Sequence, residues 1–72
     1  MKIQYDKLAD ALYIYLKKGK IKKTVKLKDR LIVDCDKDGK ILGLEILEVS
    51  SQVSKKEISR IQIENPLLVS MK

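Results

Sequence analysis

Residues 31–47 read L-I-V-D-C-D-K-D-G-K-I-L-G-L-E-I-L, two apolar, β-branched-rich arms around Asp36-Lys37-Asp38-Gly39. Asp-Gly between alternating hydrophobics is the strongest short-range signal for a β-hairpin, because the turn needs residues that tolerate positive φ. In the first arm Leu31, Val33 and Cys35 alternate with Ile32, Asp34 and Asp36; in the second, Leu42, Leu44 and Ile46 alternate with Ile41, Gly43, Glu45 and Leu47. Both faces of the hairpin therefore carry apolar residues. An antiparallel sheet standing alone has one wet face, so the second face must be covered, by the C-terminal segment or by a second subunit.

The rest of the chain extends this sheet. Residues 1–5 form a short strand with Ile3 and Tyr5 on one side and Lys2 and Gln4 on the other. A turn follows at residues 6–10, where Asp6 is placed to accept from backbone amides. In A-L-Y-I-Y-L (residues 11–16) Leu12, Ile14 and Leu16 share one face and Ala11, Tyr13 and Tyr15 the other. Its aromatic and β-branched content favours a strand over the helix that Leu8, Leu12 and Leu16 would also fit. Residues 21–28 alternate again, with an outer face made almost wholly of lysine, a usual protection of a sheet edge. Beyond residue 51, Ser54-Lys55-Lys56-Glu57 fits a capping box and predicts a short helix starting at Ser54, with Ile58 and Ile61 on one face and an end no later than Asn65, before Pro66. The apolar tail Leu67-Leu68-Val69 is expected to dock.

Seventy-two residues make one small domain, and a chain of this length buries only roughly 60% of its unfolded surface. Cys35 is the only cysteine and there is no histidine, which excludes an internal disulfide framework and zinc held by Cys/His clusters. Oligomerisation is the remaining way to stabilise so small a core, and a homodimer is expected. No apolar run reaches signal-peptide or membrane-span length, so a soluble, cytoplasmic protein is expected. The net charge of +6 is concentrated. Lys17, Lys18, Lys20, Lys22, Lys23, Lys26 and Lys28 lie within twelve residues that contain no acid, and without them the chain is nearly neutral.

Two stretches, Y-D-K-L-A-D-A-L-Y-I (residues 5–14) and residues 31–47, with their spacing, resemble a family of small prokaryotic proteins, the domain of unknown function 2283. The resemblance covers roughly residues 1–51. The family has no established activity, so no catalytic residue is implied. Some members occur beside small toxin-like genes, which implies an antitoxin or partner-binding role. The acid-free lysine run is not part of the shared motif, so any role it has would be peculiar to this chain.

Several residue sets are candidates for chemistry. Asp34-x-Asp36-x-Asp38-Gly39-x-Ile41-x-x-x-Glu45 matches the calcium-loop template position by position. That template needs a helix on each side, whereas Leu31-Ile32-Val33 is strand-like, so solvated hairpin carboxylates are the better reading. Cys35 lacks any histidine base and alternates with Leu31 and Val33, as a small packed hydrophobe does. Asp6, Asp10, Asp34 and Glu45 could supply an acid/base pair, but a small sheet seldom forms the cleft that perturbs one pKa, and turn caps explain them more simply. The seven lysines, with Tyr13 or Tyr15 near them to stack on bases, could contact nucleic acid. Edge protection is the simpler account of them.

The expected architecture is α+β: one domain over residues 1–72, a small antiparallel β-meander of four to five strands in residues 1–49, then a short C-terminal helix and docking tail in 50–72. The expected function is a non-enzymatic protein-interaction module, antitoxin-like, with a small partner protein and no cofactor, metal or catalytic residue. The alternative is a weak nucleic-acid binder acting through Lys17, Lys18, Lys20, Lys22, Lys23, Lys26 and Lys28.

Overall fold

The computed structural model describes residues 1–67. Five strands form one antiparallel sheet: β1 (Lys2–Asp6), β2 (Ala11–Tyr15), β3 (Lys23–Lys28), β4 (Leu31–Cys35) and β5 (Ile41–Ile46). A 3-10 turn at Val49–Ser51 and a single helical turn, α1 (Lys55–Ile58), follow. The sheet order is β1-β2-β5-β4-β3. This is not the expected meander. β2 pairs with β5, so residues 16–22 must cross the ends of β5 and β4 to reach the far edge. Three strand spacings amount to about 14 Å, which seven residues span easily.

The hairpins close where the sequence places them. Asp36 accepts from the Asp38 and Lys40 amides through its carboxylate, both at 2.9 Å, while its carbonyl accepts from Gly39 N–H at 3.1 Å. Gly39 sits at φ +82°, the left-handed region that this turn demands. Asp6 accepts from the Leu8 and Ala9 amides at 3.0 and 3.1 Å, as its position in the first turn predicts.

One β-bulge rearranges the faces. Asp34 pairs with Gly43 but Cys35 pairs with Ile41, so Leu42 is an extra residue on β5. Ile41 therefore lies on the same side as Cys35, and Leu42 turns to the side of Tyr13 and Tyr15, where it is buried. This corrects the simple alternation expected for the second arm. A second irregularity, between Lys26 and Lys28, leaves Leu27 exposed.

With these registers one face carries Ile3, Tyr5, Leu12, Ile14, Leu44, Ile46, Leu31, Val33 and Val25; it is apolar across β1, β2, β5 and β4, while on β3 Lys23 and Lys28, opposite Cys35 and Leu31, flank Val25. The helix expected to cover it does not. Ser54 caps α1 as the capping box predicts, accepting from Glu57 N–H at 3.2 Å, but the helix ends after one turn and buries no residue. Ile58 is half-buried, while Ile61, Ile63 and Leu67 are exposed. Leu68 and Val69 of the expected docking tail lie outside the described residues. With so little helix, the molecule is mostly β. Among the described residues the buried hydrophobic core is Ala11, Val33, Leu42 and Val49. The chain measures 38 × 35 × 18 Å with a radius of gyration of 14.0 Å, against about 11 Å for a compact chain of this length. It is essentially one layer.

Candidate functional site

The face opposite the apolar one holds the chemistry-bearing side chains. Alternation along β2 sends Ala11, Tyr13 and Tyr15 to this side. The neighbouring position on β5 is Gly43, which pairs with Tyr15 on one side and Asp34 on the other. A Cβ at Gly43 would meet Tyr13 Oη at 2.6 Å, Cε1 at 2.7 Å and Cζ at 2.9 Å, so the phenol lies flat across the glycine. It donates to Asp34 Oδ2, and Asp34 Oδ1 accepts from Thr24 Oγ1 at 2.8 Å. Tyr13, Asp34 and Thr24 thus tie β2, β4 and β3 together over a β5 floor of glycine.

The bond to Asp34, then burial, then the carboxylate's negative charge, push the Tyr13 phenol up to about 12. At neutral pH the phenol stays protonated and its proton is committed to Asp34. It is a tie. Tyr15 stacks on Tyr13, with ring centroids 4.3 Å apart and planes inclined at 43°, and the Lys2 ammonium lies 5.4 Å from the Tyr15 ring centre. Together with Lys17, Lys18, Gly19, Ile21 and Leu42 these rings border a shallow hollow of about 430 Å³.

A second network, which the sequence reading missed, joins the opposite end of the sheet. Asp10 stands at φ 53° and accepts from Tyr5 Oη at 2.6 Å and from Ser50 Oγ at 2.7 Å. Ser50 N–H donates to its Oδ1 at 3.1 Å, and Val49 N–H to the Asp10 carbonyl, also at 3.1 Å. These bonds hold the Asp10 carboxyl below its ordinary range and lift the Tyr5 phenol above its own, the Tyr5–Asp10 bond being the main cause of both. They fasten the 3-10 turn to the β1–β2 turn. The signal was there: an acid directly before Ala-Leu-Tyr in a turn can adopt positive φ, and Ser-Ser follows the last strand. Only the fold shows that the two meet.

The residues weighed for calcium scatter. Asp34 goes to Tyr13 and Thr24, Asp36 to turn amides, and Glu45 to a ladder position opposite Tyr13 and Ile32, with strands on both sides of the loop. Among the described residues no three of His, Cys, Asp or Glu converge as a metal cluster. Asp10 and Asp34 belong to separate networks, so the acids considered as a general acid/base pair are not brought together. Cys35 is half-buried and in no disulfide, on the face of Leu31 and Val33.

The seven lysines are all exposed. Lys17 and Lys18 border the tyrosine hollow, and Lys17 pairs with Asp36 at 3.9 Å. Lys20 and Lys22 stand beside Asp36 and Asp38. Lys23, Lys26 and Lys28 run along β3, the sheet edge, with Lys23 and Lys26 opposite Cys35 and Ile32.

A single-layer antiparallel sheet with side-chain ties on one face and an apolar, half-buried face on the other defines a small β scaffold. The family of proteins of unknown function DUF2283 matches over residues 2–50, and the chain belongs to that family. It is similar to an uncharacterised protein of Methanocaldococcus jannaschii, 42% identical over 50 residues, which are 69% of this chain and 42% of that relative. The chain thus spans less than half of the relative's length. No solved structure gives a significant match. The matched region contains both networks and all five strands, and it ends at the 3-10 turn. No helix among the described residues is long and apolar enough to cross a membrane.

Proposed function

We propose that this chain is a non-enzymatic protein-interaction module. The observation that carries the reading is the apolar face: all five strands contribute side chains to it, most of them only half-buried, and α1 buries none of its own residues. A broad apolar face left half-buried is a surface on which a protein partner can dock. The carboxylates that catalysis would need are engaged in turn and strand ties instead. In its antitoxin-like form, which rests on the family resemblance, the partner is a small toxin-like protein. The test is co-expression of the chain with the product of each adjoining reading frame, followed by purification at physiological salt with nuclease present. A complex of fixed stoichiometry is the expected result. Recovery of nucleic acid alone from the matched sample without nuclease would overturn the reading.

One observation favours a second reading, nucleic-acid binding. Lys2, Lys17 and Lys18 surround the hollow formed by Tyr13 and Tyr15, a cationic rim around aromatic walls. Such a site holds single strands by backbone charge and base stacking. Retention of a single-stranded oligonucleotide that falls steeply from about 50 to about 200 mM salt is the expected behaviour. Salt-independent retention, or none, rules this reading out.

A further inference from the structure

We infer that the edge strand β1 is an interface for a second copy of this chain, the two β1 strands pairing antiparallel about a two-fold axis at Gln4. The inference goes beyond the interaction-module reading, because it uses a strand edge and leaves the apolar face of each copy free.

β1 has β2 on one side, and among the described residues no strand pairs with its other side. The direction of its free backbone groups follows from the ladder. The Leu16 amide donates to the Leu42 carbonyl at 2.8 Å, so by alternation the even-numbered groups of β2 face β5 and the odd-numbered ones face β1. Ala11, Tyr13 and Tyr15 stand opposite Asp6, Gln4 and Lys2. The N–H and C=O groups of Lys2, Gln4 and Asp6 therefore turn inward to β2, and those of Ile3 and Tyr5 turn outward.

Two such edges bond only when outward residues stand opposite each other. Ile3 on Ile3, Tyr5 on Tyr5 and Ile3 on Tyr5 all satisfy this, but only the last overlaps the whole of K-I-Q-Y-D. That register is also the one the side chains match. It sets Lys2 against Asp6 of the second copy at both ends, in non-hydrogen-bonded positions where side chains approach most closely. Ile3 meets the Tyr5 ring, a β-branched residue beside an aromatic one, and Gln4 meets its own amide on the axis. The charges are available, since among the described residues neither Lys2 nor Asp6 has an ion-pair partner. Asp6 gives Oδ1 to the Leu8 and Ala9 amides and keeps Oδ2.

The opposite edge is built against pairing. β3 carries Lys23, Lys26 and Lys28 with no acid, and its register shifts between Lys26 and Lys28. Two β3 strands would oppose lysine to lysine. β1 has no such shift, no proline and a balanced pair of charges. Joining two copies through β1 leaves β3 at both ends of the combined sheet, so the assembly closes at two.

The experiment is sedimentation equilibrium of the full chain from about 10 to about 500 μM. An interface this narrow is reversible, so the expected mass climbs with concentration towards twice 8.3 kDa. Lys2→Glu, which sets acid against Asp6 at both ends, should raise the dissociation constant about tenfold or more, whereas Lys2→Arg should leave it within about twofold. Ile3→Pro removes an outward N–H that the β2 ladder does not use, so the doubled mass should vanish while the β circular-dichroism spectrum stays. Gln4→Cys in a Cys35→Ala background reads the register itself. Its Cα would lie about 4.5 Å from its counterpart across the axis, so oxidised glutathione should yield a disulfide-linked dimer. Lys2→Cys in the same background should not cross-link. A mass that stays at 8.3 kDa throughout overturns the inference. So do a dimer indifferent to Lys2→Glu, a Gln4→Cys variant that fails to cross-link, and assemblies that grow past two copies. The co-expression experiment, which reads the apolar face, is judged separately from all of these.

Discussion

Tyr13 shows how one side chain can organise a sheet. Its phenol is raised to about 12 by a carboxylate partner, so the stabilisation it brings is complete below the ordinary tyrosine range and is lost as pH rises through about 12. Absorbance titration of the phenols should show one late step with a midpoint of about 12, and Tyr13→Phe should remove that step alone. Gly43→Ala sets a methyl where the ring lies, so the ring must lift away from Asp34. The expected cost is about 1–3 kcal/mol, and the late phenol step should move down towards the others. At low pH the signs reverse. Asp10, by the Tyr5 hydroxyl and Ser50, and Asp36, by the Lys40 and Asp38 amides, are held below the ordinary carboxylate range, so their contributions are intact at neutral pH and fade as pH falls through the depressed values. Asp10→Asn keeps a side chain that tolerates positive φ but removes the charge, and a plot of Tm against pH should lose part of its slope below about pH 4. Of all this the sequence showed Asp6 as a turn acceptor, because it acts on amides two and three residues away. A lone glycine inside a strand, as at Gly43, does hint at a close approach. That Tyr13 is what approaches depends on a pairing thirty positions away.

Among the elements, local ones were legible and distant pairings were not. The β4–β5 hairpin, the lysine-rich edge strand and the N-terminal strand pair follow from turn chemistry and alternation. The β2–β5 ladder does not, since Leu12 and Ile46 meet across most of the folded chain. The bulge at Leu42 is equally silent in the sequence: one inserted residue reverses which side chain faces which layer, and an unbroken L-x-L-x-I pattern conceals it. α1 illustrates the opposite error. Its capping signal is sound and its cap is formed, yet a cap cannot supply the packing that extends a helix beyond one turn. Ser54→Ala should therefore speed hydrogen exchange at the Glu57 amide while shifting global stability by less than about 0.5 kcal/mol, by urea unfolding.

At the scale of the molecule, residues 16–22 are the only covalent link between the β1–β2 pair and the β3–β4–β5 unit. That link is exposed from Lys17 to Lys22, and its ends are held by the Leu16 amide on the Leu42 carbonyl at 2.8 Å and the Lys22 amide on the Cys35 carbonyl at 2.8 Å. Brief trypsin treatment should cut first around Lys18 and Lys20, where exposed backbone is free of the ladder. The β2–β5 hydrogen bonds survive that cut. The nicked protein should elute from gel filtration as a single species and come apart only in denaturant. The fold is therefore divisible: a chain severed there becomes two complementary fragments, each carrying what the other needs to reassemble.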